Sequence, residues 1–256
     1  MIEIIGLGEI GFEMFKELDK KIPREKFYGI DISDNRLNEI KNYGFSNVGK
    51  DIKQAEIYIL SVYLTEQIFD VLDKIMKFDN YPLIVIESTV MPGTYKEIIN
   101  KYGENKFDLV LFPHRYNPND SEHHVFNQKR VIGGNKKSLI HAKEFFKQFI
   151  DWNLVHETAP EIAELTKPVE NAYRFIEIAI AQELKMLCKE KNIDFEKLRE
   201  AANTKWNINL KEAREGIGGK CLPKDINLIN EFFIGNDLFK TAIESNEKYK
   251  RTNNKG

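Results

Sequence analysis

The chain has 256 residues, 42% of them hydrophobic, and a formal net charge of −2 from 38 basic against 40 acidic residues. This is enough apolar material for one large domain or two smaller ones, and so even a charge balance argues against a general nucleic-acid or membrane-surface binder. Two cysteines, Cys188 and Cys221, exclude a disulfide framework, and no apolar run approaches membrane-spanning length, so a protein of a reducing, cytoplasmic compartment is expected.

Ile2–Ile5 reads as a strand, followed at once by Gly6-Leu7-Gly8-Glu9-Ile10-Gly11. A helical pattern with Ile10, Met14, Phe15 and Leu18 on one face comes next, then a strand at 27–30 that ends at Asp31. This is a dinucleotide-binding arrangement. The glycines permit a tight turn and close approach of a pyrophosphate to the helix N-terminus. The acid, 20 residues after Gly11, can bind ribose hydroxyls. An acid there repels a 2′-phosphate, which favours NAD over NADP.

The alternation continues with expected strands at 56–62, 83–86, 109–112, 131–132 (ending in Gly133-Gly134) and near 154–155. Helices are expected at 65–76, after the Met91-Pro92-Gly93-Thr94 turn, and at 138–149. The pattern predicts an α/β fold with a Rossmann-like, doubly wound parallel sheet over residues 1–157. Ligands of such sheets bind at the carboxyl ends of the strands, where Ser61, Ser88, Thr89 and His114 fall.

Beyond residue 157 the chain reads as an all-helical domain, 158–256, with one long helix at 162–189. Leu165, Val169, Ala172, Ile176, Ile180 and Leu187 form its expected apolar side. Glu164, Lys167, Asn171 and Arg174 share another face, which on charge alone reads as solvated. Pro168 should bend or loosen the helix. Shorter helices are expected at 196–202, 224–233 and 237–250, before a polar tail at 251–256 expected to fray. The long apolar stripe predicts a homodimer.

Gly216-Ile217-Gly218-Gly219-Lys220-Cys221-Leu222-Pro223-Lys224-Asp225 is the most chemically suggestive stretch. Pro223 suits the first position of a helix, which would put Cys221 just ahead of that N-terminus. The helix dipole, Lys220 and Lys224 would favour a thiolate, and Asp225 would lie in the first turn. The alternative is a buried structural cysteine after a glycine-rich turn. His123-His124 with His114 lacks a recognised metal-ligand spacing, and no metal is expected. Cys188 reads as packed, His141 and His156 as ordinary surface or loop residues, and Trp152 and Trp206 as core or interface residues.

Taken together, GLGEIG at 6–11, ESTVMPGT at 87–94, AELTKPVENAYR at 163–174 and GIGGKCLPKD at 216–225 resemble the UDP-glucose/GDP-mannose dehydrogenase family, the NAD-dependent nucleotide-sugar dehydrogenases. The resemblance implies a double oxidation of a sugar C6 alcohol, with Cys221 capturing the aldehyde. Lys167 and Asn171 would stabilise an oxyanion, and Asp225 and Thr89 would position water or shuttle protons. Cofactor contacts are expected from Gly6, Gly8, Glu9, Ile10, Gly11, Asp31, Ser61, Ser88 and Lys224. The chain departs from the family pattern at His114, where a glutamate that serves thioester hydrolysis would stand, and at Gln182-Glu183, where the pattern has Asn-Glu. His114 could replace that glutamate as a base when neutral. Family members also continue into a further nucleotide-holding domain, which would begin near Asn246. That part of the site would come from a longer polypeptide or a separate nucleotide-binding chain. Two other readings stand beside this one: a single-step hydroxyacid or sugar dehydrogenase without covalent catalysis, and a non-catalytic NAD-binding subunit.

Overall fold

The computed structural model describes residues 1–117, 120, 122–235 and 237–253. It divides into two compact units, Met1–Lys167 and Pro168–Gly256.

In the first unit eight strands form one sheet: β1 (Ile2–Ile5), β2 (Phe27–Ile30), β3 (Val48–Gly49), β4 (Ile57–Leu60), β5 (Leu83–Ile86), β6 (Asp108–Leu111), β7 (Arg130–Gly134) and β8 (Val155–Thr158). Their order is β3-β2-β1-β4-β5-β6-β7-β8. Helices α1 (Glu9–Asp19), α2 (Asp34–Asn42), α3 (Thr65–Ile75), α4 (Thr94–Tyr102) and α5 (Lys136–Phe146) connect them. The strands are nearly continuous apolar runs because both faces are covered. Alternate residues point to opposite faces and enter separate cores: Ile57, Ile59, Leu83 and Val85 into one, Tyr58, Leu60, Ile84 and Ile86 into the other. Each such side chain contributes about 1.5–3 kcal/mol on burial.

β1 through β6 pair parallel, as the sequence pattern predicts, but β7 runs antiparallel to β6, with Val110 opposite Gly134 and Leu111 opposite Gly133. Gly133 and Gly134 are the last two residues of β7. A side chain at Gly133 would collide with Ala163 Cβ at 2.5 Å, so the close approach requires glycine there. The short β3 and helix α2 are additional to the sequence reading. Ser33 begins α2 by accepting from the Arg36 N–H.

α6 (Pro160–Glu190) runs from the first unit into the second and continues as helix through Pro168. α7 (Phe195–Ala202), α8 (Cys221–Phe232) and α9 (Leu238–Asn253) follow. Residues 254–256 of the expected frayed tail lie outside the described residues. Within the second unit the buried residues of α6 include Asn171, Ala172, Phe175, Ile178, Ala179, Ala181, Gln182 and Cys188. The expected apolar stripe is displaced from them: Val169, Ile180 and Leu187 are exposed, and only Ala172 of that stripe is buried. That stripe lies on the uncovered side of the helix, while Asn171 and Gln182 make buried hydrogen bonds.

Candidate active site

The glycine turn sits at the switch point of the sheet, between the carboxyl ends of β1 and β4, where the connections diverge. Gly6 has φ +88°, and a Cβ on it would meet the Ser61 carbonyl oxygen at 2.6 Å. A Cβ on Gly11 would lie 1.9 Å from the Gly6 carbonyl oxygen. Both glycines are therefore required by contact. Gly8 is the N-cap of α1 and offers no capping side chain, and nothing lies within 4 Å of where its Cβ would be. The first N–H groups of α1 thus face an open position suited to an anion, which fits the diphosphate of a dinucleotide.

Asp31 is fixed at the end of β2. Its Oδ2 accepts from the Leu7 N–H at 2.8 Å and its Oδ1 from the Ser33 N–H at 2.9 Å. It therefore braces the glycine turn, as does Arg36, whose Nε donates to the Leu7 carbonyl at 2.5 Å. Glu9 and Ile10 open α1 on the same turn. Ser61 and Ser88 occupy the ends of β4 and β5. Ser61 Oγ donates to Glu87 Oε2 at 3.2 Å, and Ser88 Oγ donates to the Val62 carbonyl at 2.7 Å. The Ser88 hydroxyl proton is thus already committed to the loop. Thr89 is half-buried in the loop that follows β5.

His114 is buried, 3% exposed, and its Nδ1 accepts from the Tyr116 N–H at 2.9 Å. Burial first, then the charges of Arg130 and Lys167, hold its pKa well below 6.5. The neutral ring therefore carries its proton on Nε2. A ring whose one basic nitrogen is already an acceptor cannot take a proton from water, which corrects the expectation of His114 as a base. Glu87 and Arg130 are the residues the sequence reading did not single out. They form a fully buried ion pair at 2.9 Å. The antiparallel direction of β7 puts Arg130 at this edge, and no sequence period announces that.

Glu164 overturns the solvated reading of its face. It is 5% exposed, and its carboxylate accepts from the Gly93 N–H at 2.7 Å and the Tyr95 N–H at 2.5 Å. Gly93, in the left-handed region at φ +98°, has no side chain to cap α4, and Glu164 supplies the missing acceptor. Burial raises the Glu164 pKa, against the lowering effect of these two bonds.

In the second unit, Asn171 Nδ2 donates to Asp225 Oδ2 at 2.6 Å, with both residues buried. They are 54 positions apart in sequence. α8 begins at Cys221 with Lys220 as its N-cap, so Cys221 is the first helical residue and Pro223 the third, two positions later in the helix than the sequence suggested. The proline still falls in the first turn, where its missing N–H has no helical partner. Cys221 is exposed and Cys188 buried, so the structural-cysteine reading belongs to Cys188. Asp225 follows Cys221 by one helical turn on the same face. Lys224 Nζ lies 4.0 Å from Asp225 Oδ1. Gln182 Nε2 donates to the Ala213 carbonyl at 3.3 Å, and Glu183 accepts from Ser245 Oγ at 2.7 Å, so both members of the altered pair are structural.

Among the described residues no three His, Cys, Asp or Glu side chains come together as metal ligands, and no helix is long and apolar enough to cross a membrane. His123 pairs with Asp120 at 2.8 Å, and His141 with Asp108 at 2.8 Å. Trp152 packs partly against the core, and Trp206 is 92% exposed.

Residues 41–150 match the NAD binding domain, and residues 161–248 the central domain, of the UDP-glucose/GDP-mannose dehydrogenase family. The chain belongs to this family. Its cofactor is NAD, and the glycine turn, which precedes the matched segment, fits that cofactor by its own geometry. The UDP-N-acetyl-D-mannosamine dehydrogenase of Methanocaldococcus jannaschii is 29% identical over 95% of this chain and 64% of the relative's length. The chain thus spans about two thirds of the curated relatives it matches. The structure of a UDP-D-ManNAc dehydrogenase from Pyrococcus horikoshii superposes with a TM-score of 0.80 at 23% identity, over 97% of this chain and 69% of that one. A 3-hydroxyisobutyrate dehydrogenase from Mycobacterium tuberculosis shares the fold with a TM-score of 0.76 at 13% identity, over 97% of this chain and 92% of that one.

Proposed function

We propose that this chain oxidises the C6 alcohol of a nucleotide sugar, a UDP-hexose or UDP-N-acetylhexosamine, to the uronic acid. The observation that carries the reading is the buried Asn171–Asp225 hydrogen bond on the helix that begins with the exposed Cys221. A purely structural contact has no need of an exposed thiol one turn away. NAD supplies the chemistry of hydride acceptance, one molecule for each oxidation, and Gly6, Gly8, Glu9, Ile10, Gly11, Asp31, Ser61, Ser88 and Lys224 are the residues assigned to hold it.

The alcohol loses a hydride and a proton to become the aldehyde. The Cys221 sulfur then adds to the aldehyde carbon, and the carbonyl oxygen takes up a proton, giving a thiohemiacetal. Loss of a second hydride and that proton gives a thioester. Water cleaves the carbon–sulfur bond, which releases the acid and restores the thiol. The thiol makes the second step feasible because it returns the carbon to a tetrahedral hydride donor. Lys167 and Asn171, four residues apart on α6, are assigned to the oxyanion, and Asp225 and Thr89 to water and protons. In this scheme Asn171 also holds Asp225 in place.

A homodimer is part of the reading. Val169, Tyr173, Ile180 and Leu187 leave an exposed apolar stripe on α6. The rest of the nucleotide site is assigned to a further domain or a separate chain. The single-step dehydrogenase is the second reading, favoured by the donor-only state of His114, which leaves no base at that position for thioester hydrolysis. Incubation with NAD and a panel of UDP- and GDP-sugars, following both NADH and acid, tests the proposal. Two NADH per acid support it, and one NADH per aldehyde with an unmodified Cys221 supports the second reading.

A further inference from the structure

At the carboxyl edge of the sheet, Glu87 follows β5, His114 follows β6 and Arg130 opens β7. β7 runs antiparallel to β6, with Leu111 opposite Gly133, so its first residue, Arg130, lies at the edge where β6 ends. The His114 N–H donates to the Glu87 carbonyl at 3.2 Å. Arg130 Nη2 donates to Glu87 Oε1 at 2.9 Å and to the Phe112 carbonyl at 2.5 Å. The guanidinium carbon lies 3.6 Å from the centroid of the Phe112 ring. Glu87 Oε2 takes the Ser61 hydroxyl.

The acceptors of this cluster are thereby engaged, and what is left over is donors. Arg130 Nε and Nη1 and His114 Nε2 have no hydrogen-bond partner among the described residues. The Arg130 side chain is 0% exposed and His114 3%. Because His114 Nδ1 accepts from Tyr116, the orphaned Nε2 carries the ring proton and donates. Buried polar groups in folded proteins are paired, so a set of unpaired donors marks a missing acceptor. A water accepts only two hydrogen bonds and brings two hydrogens that need acceptors of their own. An oxyanion can accept from His114 Nε2 together with an Arg130 donor, and it donates nothing. The charge agrees. Arg130 and Glu87 offset one another, while Lys167 acts on His114 and Arg115 acts on Arg130 as further positive charges.

We propose that Arg130 and His114 form a buried receptor for a carboxylate or another small oxyanion. The site stands within the first unit and needs neither Cys221 nor any oxidation. The acid assigned above as product carries such a group, so the two readings converge, yet each can fail alone.

The test is a long-range proton–nitrogen NMR titration of the full chain labelled with ¹⁵N-histidine, with His114 assigned by comparison with His114→Gln. Sodium formate is added at constant ionic strength, with sodium chloride and formamide as controls. The expected result is a protonated His114 Nε2 whose resonance shifts saturably with formate and with neither control. An unprotonated Nε2, no shift with formate, or an equal shift with formamide overturns the proposal. In thermal unfolding, formate should stabilise the wild type and His114→Gln, which keeps a donor, but not His114→Glu, which replaces it with a carboxylate. Stabilisation of His114→Glu equal to wild type also overturns it. If His114→Glu does not fold, the wild-type titration decides. Repeating the titration on Cys221→Ala separates this site from the oxidation: the formate shift should persist there unchanged.

Discussion

Asn171 and Asp225, 54 residues apart in sequence, are joined by a buried hydrogen bond of 2.6 Å. Asn171→Ala leaves a buried carboxylate short of a donor, so it should cost about 1–3 kcal/mol of stability. Asn171→Asp sets two carboxylates against each other and should cost at least as much. Urea denaturation midpoints measure both. A neutral Asn171→Ala would show that the pair does not form.

Cys221 is exposed at the first position of α8, so its replacement should leave the fold intact. Cys221→Ala is expected to abolish acid formation while NAD affinity stays within about twofold, since a change in NAD affinity of tenfold would need about 1.4 kcal/mol. Wild type incubated with substrate and NAD should show a covalent adduct by intact mass. A Cys221→Ala protein that makes acid at the wild-type rate removes the covalent mechanism and leaves the single-step reading.

Asp31 places a carboxylate beside the glycine turn. Isothermal titration should give tighter binding of NAD than of NADP, because a 2′-phosphate would meet that carboxylate. Equal or reversed affinities reject the role assigned to Asp31.

Burial and the charges of Arg130 and Lys167 depress the folded-state pKa of His114 below its unfolded value near 6.5. Below that value the unfolded chain binds the proton and the folded chain does not, so stability contributed by neutral His114 is present above pH 6.5 and lost as pH falls toward the folded pKa. His114→Gln should flatten this part of the stability profile between pH 7 and 5, measured by chemical denaturation. Catalytic turnover should show no inflection near pH 6.5 from His114. A His114-dependent inflection there would restore its role as a base.

The exposed stripe of Val169, Tyr173, Ile180 and Leu187 on α6 is the expected dimer contact. Light scattering at micromolar concentration should give twice the chain mass for wild type and the monomer mass for Ile180→Glu. A monomeric wild type rejects the assignment.

Much of the first unit was legible in the sequence because its signals are local. The turn at Gly6–Gly11 follows directly from glycine's tolerance of positive φ and of close contact, and Asp31 falls at the end of the next strand. The run around Cys221 likewise marked a helix start from its proline and glycines, two positions after the observed one. The family resemblance drew on these local runs, which is why it held.

Only the tertiary structure decided the rest. Glu164 and Asn171 looked like a solvated stripe because charge and spacing carry no record of partners. They are buried because Gly93 and Tyr95 offer uncapped N–H groups to one, and Asp225 accepts from the other. The reversal of β7 brings Arg130 to Glu87 and His114, and strand direction leaves no trace in a run such as Arg130–Gly134. The tautomer of His114 was set by one backbone N–H two residues away, a contact that exists only once the chain has folded around it.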